Sequence, residues 1–239
     1  MSFNINETTT IDDIKQYLKE NIFTQEIVSF LIRNGETEYI NLQDKDGFTP
    51  LLFACRYSNT ISNEETVKTL IDAGVDLNLQ TNEGYTALIF ACNYSNTTST
   101  ENTVKMLIDA GADLNLHIKK NFTALMFASS LSNTTSTENT VKMLIDAGAD
   151  LNLQTAQGNT SLILACDYSN TTSTENTVKI LIDAGADLNL QNNTYTTALM
   201  IASNHSNTTS TENTVKILID AGADLNLQNN TYTTFICER

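Results

Sequence analysis

The chain has 239 residues, with 28 acidic side chains against 13 lysines and arginines, for a formal net charge of −15. Nucleic acid and anionic lipid repel a polyanion of this strength, so neither is expected as a partner, and the pair Lys119 and Lys120 is too small to track a phosphate backbone. No apolar run follows Met1 and no segment approaches the roughly 20 apolar residues of a membrane span, so a signal peptide and a membrane anchor are both unexpected and the cytoplasm is the expected compartment.

Ile11, Ile14, Tyr17 and Leu18 form the first apolar helical stripe. Ile27, Phe30 and Leu31 form the second, and Gly35 is read as its stop. Charged Asp12, Asp13, Lys15, Lys19 and Glu20 suit an outer face, so residues 1–43 read as N-terminal capping helices.

A repeating block follows. The stretch Leu107-Ile108-Asp109-Ala110-Gly111-Ala112-Asp113-Leu114-Asn115-Leu116 recurs every 37 residues, led by Leu70, Leu107, Leu144, Leu181 and Leu218. A period of this size means stacked supersecondary units, here 44–80, 81–117, 118–154, 155–191 and 192–228 within a single elongated array spanning 44–229. In the unit 81–117, Thr86 caps a short apolar run to Cys92. Thr98-Ser99-Thr100-Glu101 then fits a capping box, with Ser99 and Thr100 as alternative caps. Val104, Leu107 and Ile108 make one apolar helical face, and Gly111 stops the helix in the left-handed region. Ala112 to His117 is an extended stretch. Each unit is therefore helix, loop, helix and extended finger, an all-α solenoid in which neither short helix is stable alone.

Residues 230–239 read as a truncated sixth repeat. Thr234-Phe235-Ile236-Cys237 begins the motif again and breaks off. Truncation relative to a longer ancestor is the favoured expectation, and a stub acting as a minimal cap is the other. Cys55, Cys92 and Cys166 share one repeat position. Helices of adjacent units lie about 10 Å apart, beyond disulfide reach, so these cysteines are expected as free thiols in a reducing compartment.

The unit resembles an ankyrin repeat. The Thr-Pro-Leu-His-x-Ala motif of that family is matched by Thr49-Pro50-Leu51-Leu52-Phe53-Ala54, and its Thr-x-Leu core recurs from Thr86, Thr123, Thr160 and Thr197. The likeness spans roughly residues 24–239. It implies two antiparallel helices and a β-turn finger per unit, and a concave face that binds proteins. There are departures. The period of 37 exceeds the family's usual 33 or so, and the excess falls in the inter-helix loop. The motif histidine is replaced by Leu52, Ile89, Met126, Ile163 and Met200, so a polar tie is expected to be lost to apolar packing. The finger glycine of Gly47, Gly84 and Gly158 becomes Asn121 and Tyr195, so the fingers at 118–122 and 192–196 are expected to be irregular.

Comparing the units with one another separates scaffold from specificity. The inter-helix loop is nearly invariant. The finger tips and the ends of the first helices vary, and the resemblance places both on the concave face. Phe48, Tyr85 and Phe122 at the fingers, with Tyr57, Tyr94 and Tyr168 at the helix ends, gather aromatic anchors there. The bland alternative for Phe48, Tyr85 and Phe122 is packing between neighbouring fingers. Arg56, Leu131, Lys119 and Lys120 complete the candidate partner-binding set.

Chemistry is otherwise sparse. His117 and His205 lie more than two repeats apart, too far for a metal or acid–base pair. The ladder Asp72, Asp109, Asp146, Asp183 and Asp220 is spaced too widely to share a calcium ion and reads as a solvated face. No catalytic residues, metal or cofactor are therefore expected. The reading is a monomeric, non-enzymatic scaffold for one or more protein partners. The alternative is a substrate adaptor of ubiquitin-ligase type, or a host-manipulating effector of a virus or intracellular microbe acting in the host-cell cytoplasm, with its effector module outside this chain.

Overall fold

The computed structural model describes residues 5, 6, 8–34 and 39–230, so Gly35 and the stub from Thr234 lie outside the described residues. By contact density the chain divides into two units, Met1–Leu116 and His117–Arg239. In the first are α1 (Ile11–Leu18), α2 (Gln25–Arg33), α3 (Pro50–Arg56), α4 (Glu64–Asp72), α5 (Ala87–Asn93) and α6 (Glu101–Asp109). In the second are α7 (Ala124–Ser130), α8 (Glu138–Asp146), α9 (Ser161–Asp167), α10 (Glu175–Asp183), α11 (Ala198–Asn204) and α12 (Glu212–Asp220). No strand occurs among the described residues, and His117 and Thr123 form an isolated bridge.

Within each unit the odd-numbered helices from α3 onward pack side by side as one layer, each backed by the following even-numbered helix. The first layer starts at threonines. Thr49, Thr86, Thr123, Thr160 and Thr197 are N-caps whose hydroxyls accept from Leu52, Ile89, Met126, Ile163 and Met200 N–H. These short helices are buried almost all round, which a two-turn helix needs because it has little stability of its own. The second helices bury one face only: Val67 and Leu70 in α4, Val104 and Leu107 in α6, Val141 and Leu144 in α8. They end as expected at glycine. At Gly111 (φ 89°) the pair Gly111 N–H to Ile108 O, 3.0 Å, and Ala112 N–H to Leu107 O, 3.0 Å, closes a Schellman motif.

Of three expectations, the first and third are corrected and the second holds with an addition. The first is the capping box. Thr100 is the cap, accepting from Thr103 N–H at 3.1 Å, and Glu101 is the first helical residue instead of the third. A carboxylate there cannot fold back on the cap. Glu64, its counterpart in α4, reaches to the next repeat and accepts from Thr100 Oγ1 (2.5 Å) and Asn102 Nδ2 (2.6 Å). Glu138 does the same for Thr174 and Asn176, and Glu175 for Thr211 and Asn213.

The second concerns the missing histidine. Its replacements are apolar and buried, from Leu52 at 0% exposed to Met200 at 6%. Polar ties between repeats nevertheless persist, relocated to the inserted loop. Ser58 Oγ meets Ser99 Oγ at 3.1 Å and accepts from Thr103 Oγ1 at 2.8 Å, and Ser132 and Ser169 repeat the arrangement with Ser173 and Thr177, and with Ser210 and Thr214. These hydroxyls are buried, so each needs its partner. That is the physical content of the loop's near-invariance.

The third concerns the fingers at 118–122 and 192–196, which are regular. Asn121 (φ 58°) and Tyr195 (φ 60°) adopt the left-handed conformation that Gly84 and Gly158 take. Asn121 N–H to Ile118 O and Tyr195 N–H to Asn192 O, both 2.8 Å, match Gly84 N–H to Thr81 O at 2.8 Å. The Tyr195 turn is held from both sides. Gln191 Nε2 donates to Tyr195 O at 2.6 Å, and Asn192 Oδ1 accepts from Thr194 and Thr196 N–H at 3.0 Å each.

Candidate partner-binding face

In the first unit the ends of α3 and α5 meet two fingers, and the cause lies in the repeat itself. Each finger hands the chain to a threonine cap, so finger residue Phe48 or Tyr85 stands just before a helix whose last turn carries Arg56 or Asn93. Four rings surround the Arg56 guanidinium. Its central carbon lies 5.1 Å from the Phe90 centroid, 5.3 Å from Tyr57, 5.7 Å from Phe48 and 6.0 Å from Tyr94. Phe90 is itself stacked between Phe48 (5.3 Å, 23°) and Tyr85 (4.7 Å, 9°).

The two readings of Phe48 and Tyr85 therefore meet in one arrangement. Each ring packs against Phe90 and each also lines a cleft of about 410 Å³, walled further by Arg56, Tyr94 and the carboxylates Asp46 and Glu83. Burial pushes the Tyr85 hydroxyl above the ordinary phenol range, helped by Tyr94 and opposed by Arg56. A smaller hollow of about 140 Å³ adjoins Phe48 and Arg56 and is lined by Ile22, Phe23, Asp44 and Tyr57. Asp44 caps the first finger, accepting from Phe23 (3.0 Å), Asp46 (3.0 Å) and Phe48 (2.9 Å) N–H; burial still raises its carboxyl above the usual carboxylate range. A larger groove of about 570 Å³ beside α2 and α4 has no aromatic wall.

The second unit differs. Phe122 pairs with Phe127 (5.3 Å, 43°), Lys119 and Lys120 are exposed on the finger tip, and Leu131 is the C-cap of α7. Tyr168 is the C-cap of α9 and 38% exposed. These five candidates form no ring cage, because Asn159, Leu164, Thr196 and Ile201 stand where the first unit has aromatics. The position of Arg56 is taken by Asp167, whose Oδ1 lies 2.6 Å from His205 Nδ1.

The sequence reading missed Phe90 as a member of the face. Its signal was present: Phe53, Phe90 and Phe127 occupy one helical position, followed by Leu164 and Ile201. Among the described residues no three His, Cys, Asp or Glu side chains converge as a metal site, and no helix is long and apolar enough to cross a membrane.

Short capped helix pairs linked by turn fingers, stacked at a fixed period, define an all-α, solenoid-like repeat protein. A family model described as ankyrin repeats (3 copies) matches residues 19–118, 60–155, 95–192 and 125–229. The chain belongs to the ankyrin-repeat family. A comparison with curated proteins returned no match. Ankyrin repeats are, in general, modules of protein–protein interaction, and typically non-enzymatic.

Proposed function

We propose that this chain is a monomeric, non-enzymatic scaffold that binds a protein partner in the cytoplasm through its finger-side face. The observation that carries the reading is the aromatic cluster around Arg56, with Phe48, Tyr85 and Tyr94 each half-buried and lining a cleft. Tyrosine and arginine are the residues most enriched at binding hot spots, and rings already packed on one side lose little freedom when a partner covers the other. The buried, free Cys55, Cys92 and Cys166 suit a compartment that keeps thiols reduced.

Peptides selected by display on the immobilised full chain provide the test. Tyr94→Ser and Tyr168→Ser, singly and together, are expected to reduce capture of the selected peptides about tenfold or more while lowering the melting temperature by a few degrees at most. Undiminished capture with a large drop in melting temperature would mean that the rings serve packing alone.

A further inference from the structure

The guanidinium of Arg56 has four aromatic faces around it and no carboxylate, carbonyl or hydroxyl bonded to it among the described residues. That is unusual for a planar fork of five N–H donors that is partly withdrawn from water. Lys68, Lys105 and Lys216, by contrast, each pair with the aspartate four residues on. Ring contacts enclose the Arg56 guanidinium but leave its N–H donors unused, so the side chain is placed before any ligand arrives. We infer that the cleft around Arg56 is a carboxylate-recognition site. A partner segment lays an aromatic or aliphatic side chain on Tyr85 and Tyr94 and presents an adjacent carboxylate to the Arg56 fork. This rests on the partner-binding reading above and names the chemistry that the face selects.

The net charge of −15 opposes an anion, and two features weaken that opposition at this spot. Both carboxylate oxygens of Asp46 sit 3.0 Å from Lys45 Nζ, which offsets one of the two carboxylate charges on the cleft wall and leaves Glu83 as the other. More distant carboxylates are damped over a Debye length of about 8 Å at physiological salt. The surviving repulsion excludes polyanionic segments, so the ligand is a single carboxylate among neutral or basic residues. A cleft of about 410 Å³ falls in the usual range for small sites and takes one large side chain with its neighbour.

The test uses the isotope-labelled full chain and three probes, acetyl-Trp-Asp-Trp-amide and its Asn and Lys counterparts, titrated by NMR at neutral pH and physiological salt. The Asp probe is expected to shift the Arg56 Nε–H signal and the amides near Tyr85 and Tyr94. Its dissociation constant should be about tenfold below that of the Asn probe, as a charge-assisted bidentate contact warrants. Arg56→Gln should erase the Asp–Asn difference, whereas Arg56→Lys should keep part of it and leave the fold's amide pattern unchanged. Equal binding of Asp and Asn probes, tighter binding of the Lys probe, or no shift near Arg56 with any probe would overturn the assignment. Display-selected peptides that still require Tyr94 or Tyr168 would then leave the broader binding function standing.

Discussion

Tyr195 shows how far a local preference bends when its surroundings over-determine it. A non-glycine residue in the left-handed region costs about 1–2 kcal/mol, and Tyr195 gains little packing in return because the residue is 56% exposed. Tyr195→Gly is therefore expected to stabilise the protein by about 1 kcal/mol, read as a rise in the denaturation midpoint with unchanged slope. A loss of stability would mean that the ring makes a contact worth more than the strain. Glycine is demanded more strongly at Gly158, where an added Cβ would stand 2.7 Å from Asn193 N and 2.6 Å from its side-chain oxygen. The finger of Asn121 faces Ala156 instead, and Ala156 N–H still reaches Lys120 O at 2.9 Å.

Between elements, the inserted loop supplies polar ties that the apolar residues at the motif-histidine position cannot make. Asn59 N–H donates to Thr98 O at 3.0 Å and its side-chain amide to Thr97 O at 2.9 Å, while the buried Ser58 hydroxyl meets Ser99 and Thr103. The same pattern runs from Ser132 and Asn133 to residues 171–177, and from Ser169 and Asn170 to residues 208–214. Losing one hydroxyl strands its buried partners. Ser169→Ala is expected to cost about 1–3 kcal/mol, well above a surface substitution, with hydrogen exchange accelerating first in α11 and α12. Exchange that quickens uniformly, or a cost near zero, would remove the ladder from the account of repeat coupling.

Across the whole protein, stability should depend on pH through the thiols. Burial raises the thiol pKa of Cys55, Cys92 and Cys166 above its ordinary value, because a thiolate there would be stripped of water. A group whose folded pKa is raised contributes stability that is complete below its unfolded pKa and is lost as pH climbs above it. The thiols' contribution should therefore hold up to about pH 8.5 and fall beyond it, by up to roughly 1.4 kcal/mol per thiol per pH unit. Cys→Ala variants should flatten that alkaline slope in urea titrations; a slope untouched by all three substitutions would assign it to other groups. Alkylating reagents should likewise reach these positions only after unfolding.

The period, the helix starts at Thr49 and its copies, the glycine stops and the buried stripes were all legible in the chain. The period is self-similarity in the chain, and the other three rest on interactions spanning three or four residues, which sequence order lays out directly. Local order could not choose among Thr98, Ser99 and Thr100 as the cap, since each has a hydroxyl and a following helix. The stacked repeat chose, because Ser99 is occupied by Ser58 and Thr100 is bonded by Glu64. Nor could it tell which variable positions converge. Arg56, Phe48 and Phe90 lie up to 42 positions apart and meet only because one finger and two successive first-layer helices are brought together by stacking. Contacts within a helical turn were set by residue type and spacing; the hydroxyl ladder and the aromatic setting of Arg56 were decided by the offset between one repeat and the next, which only tertiary packing defines.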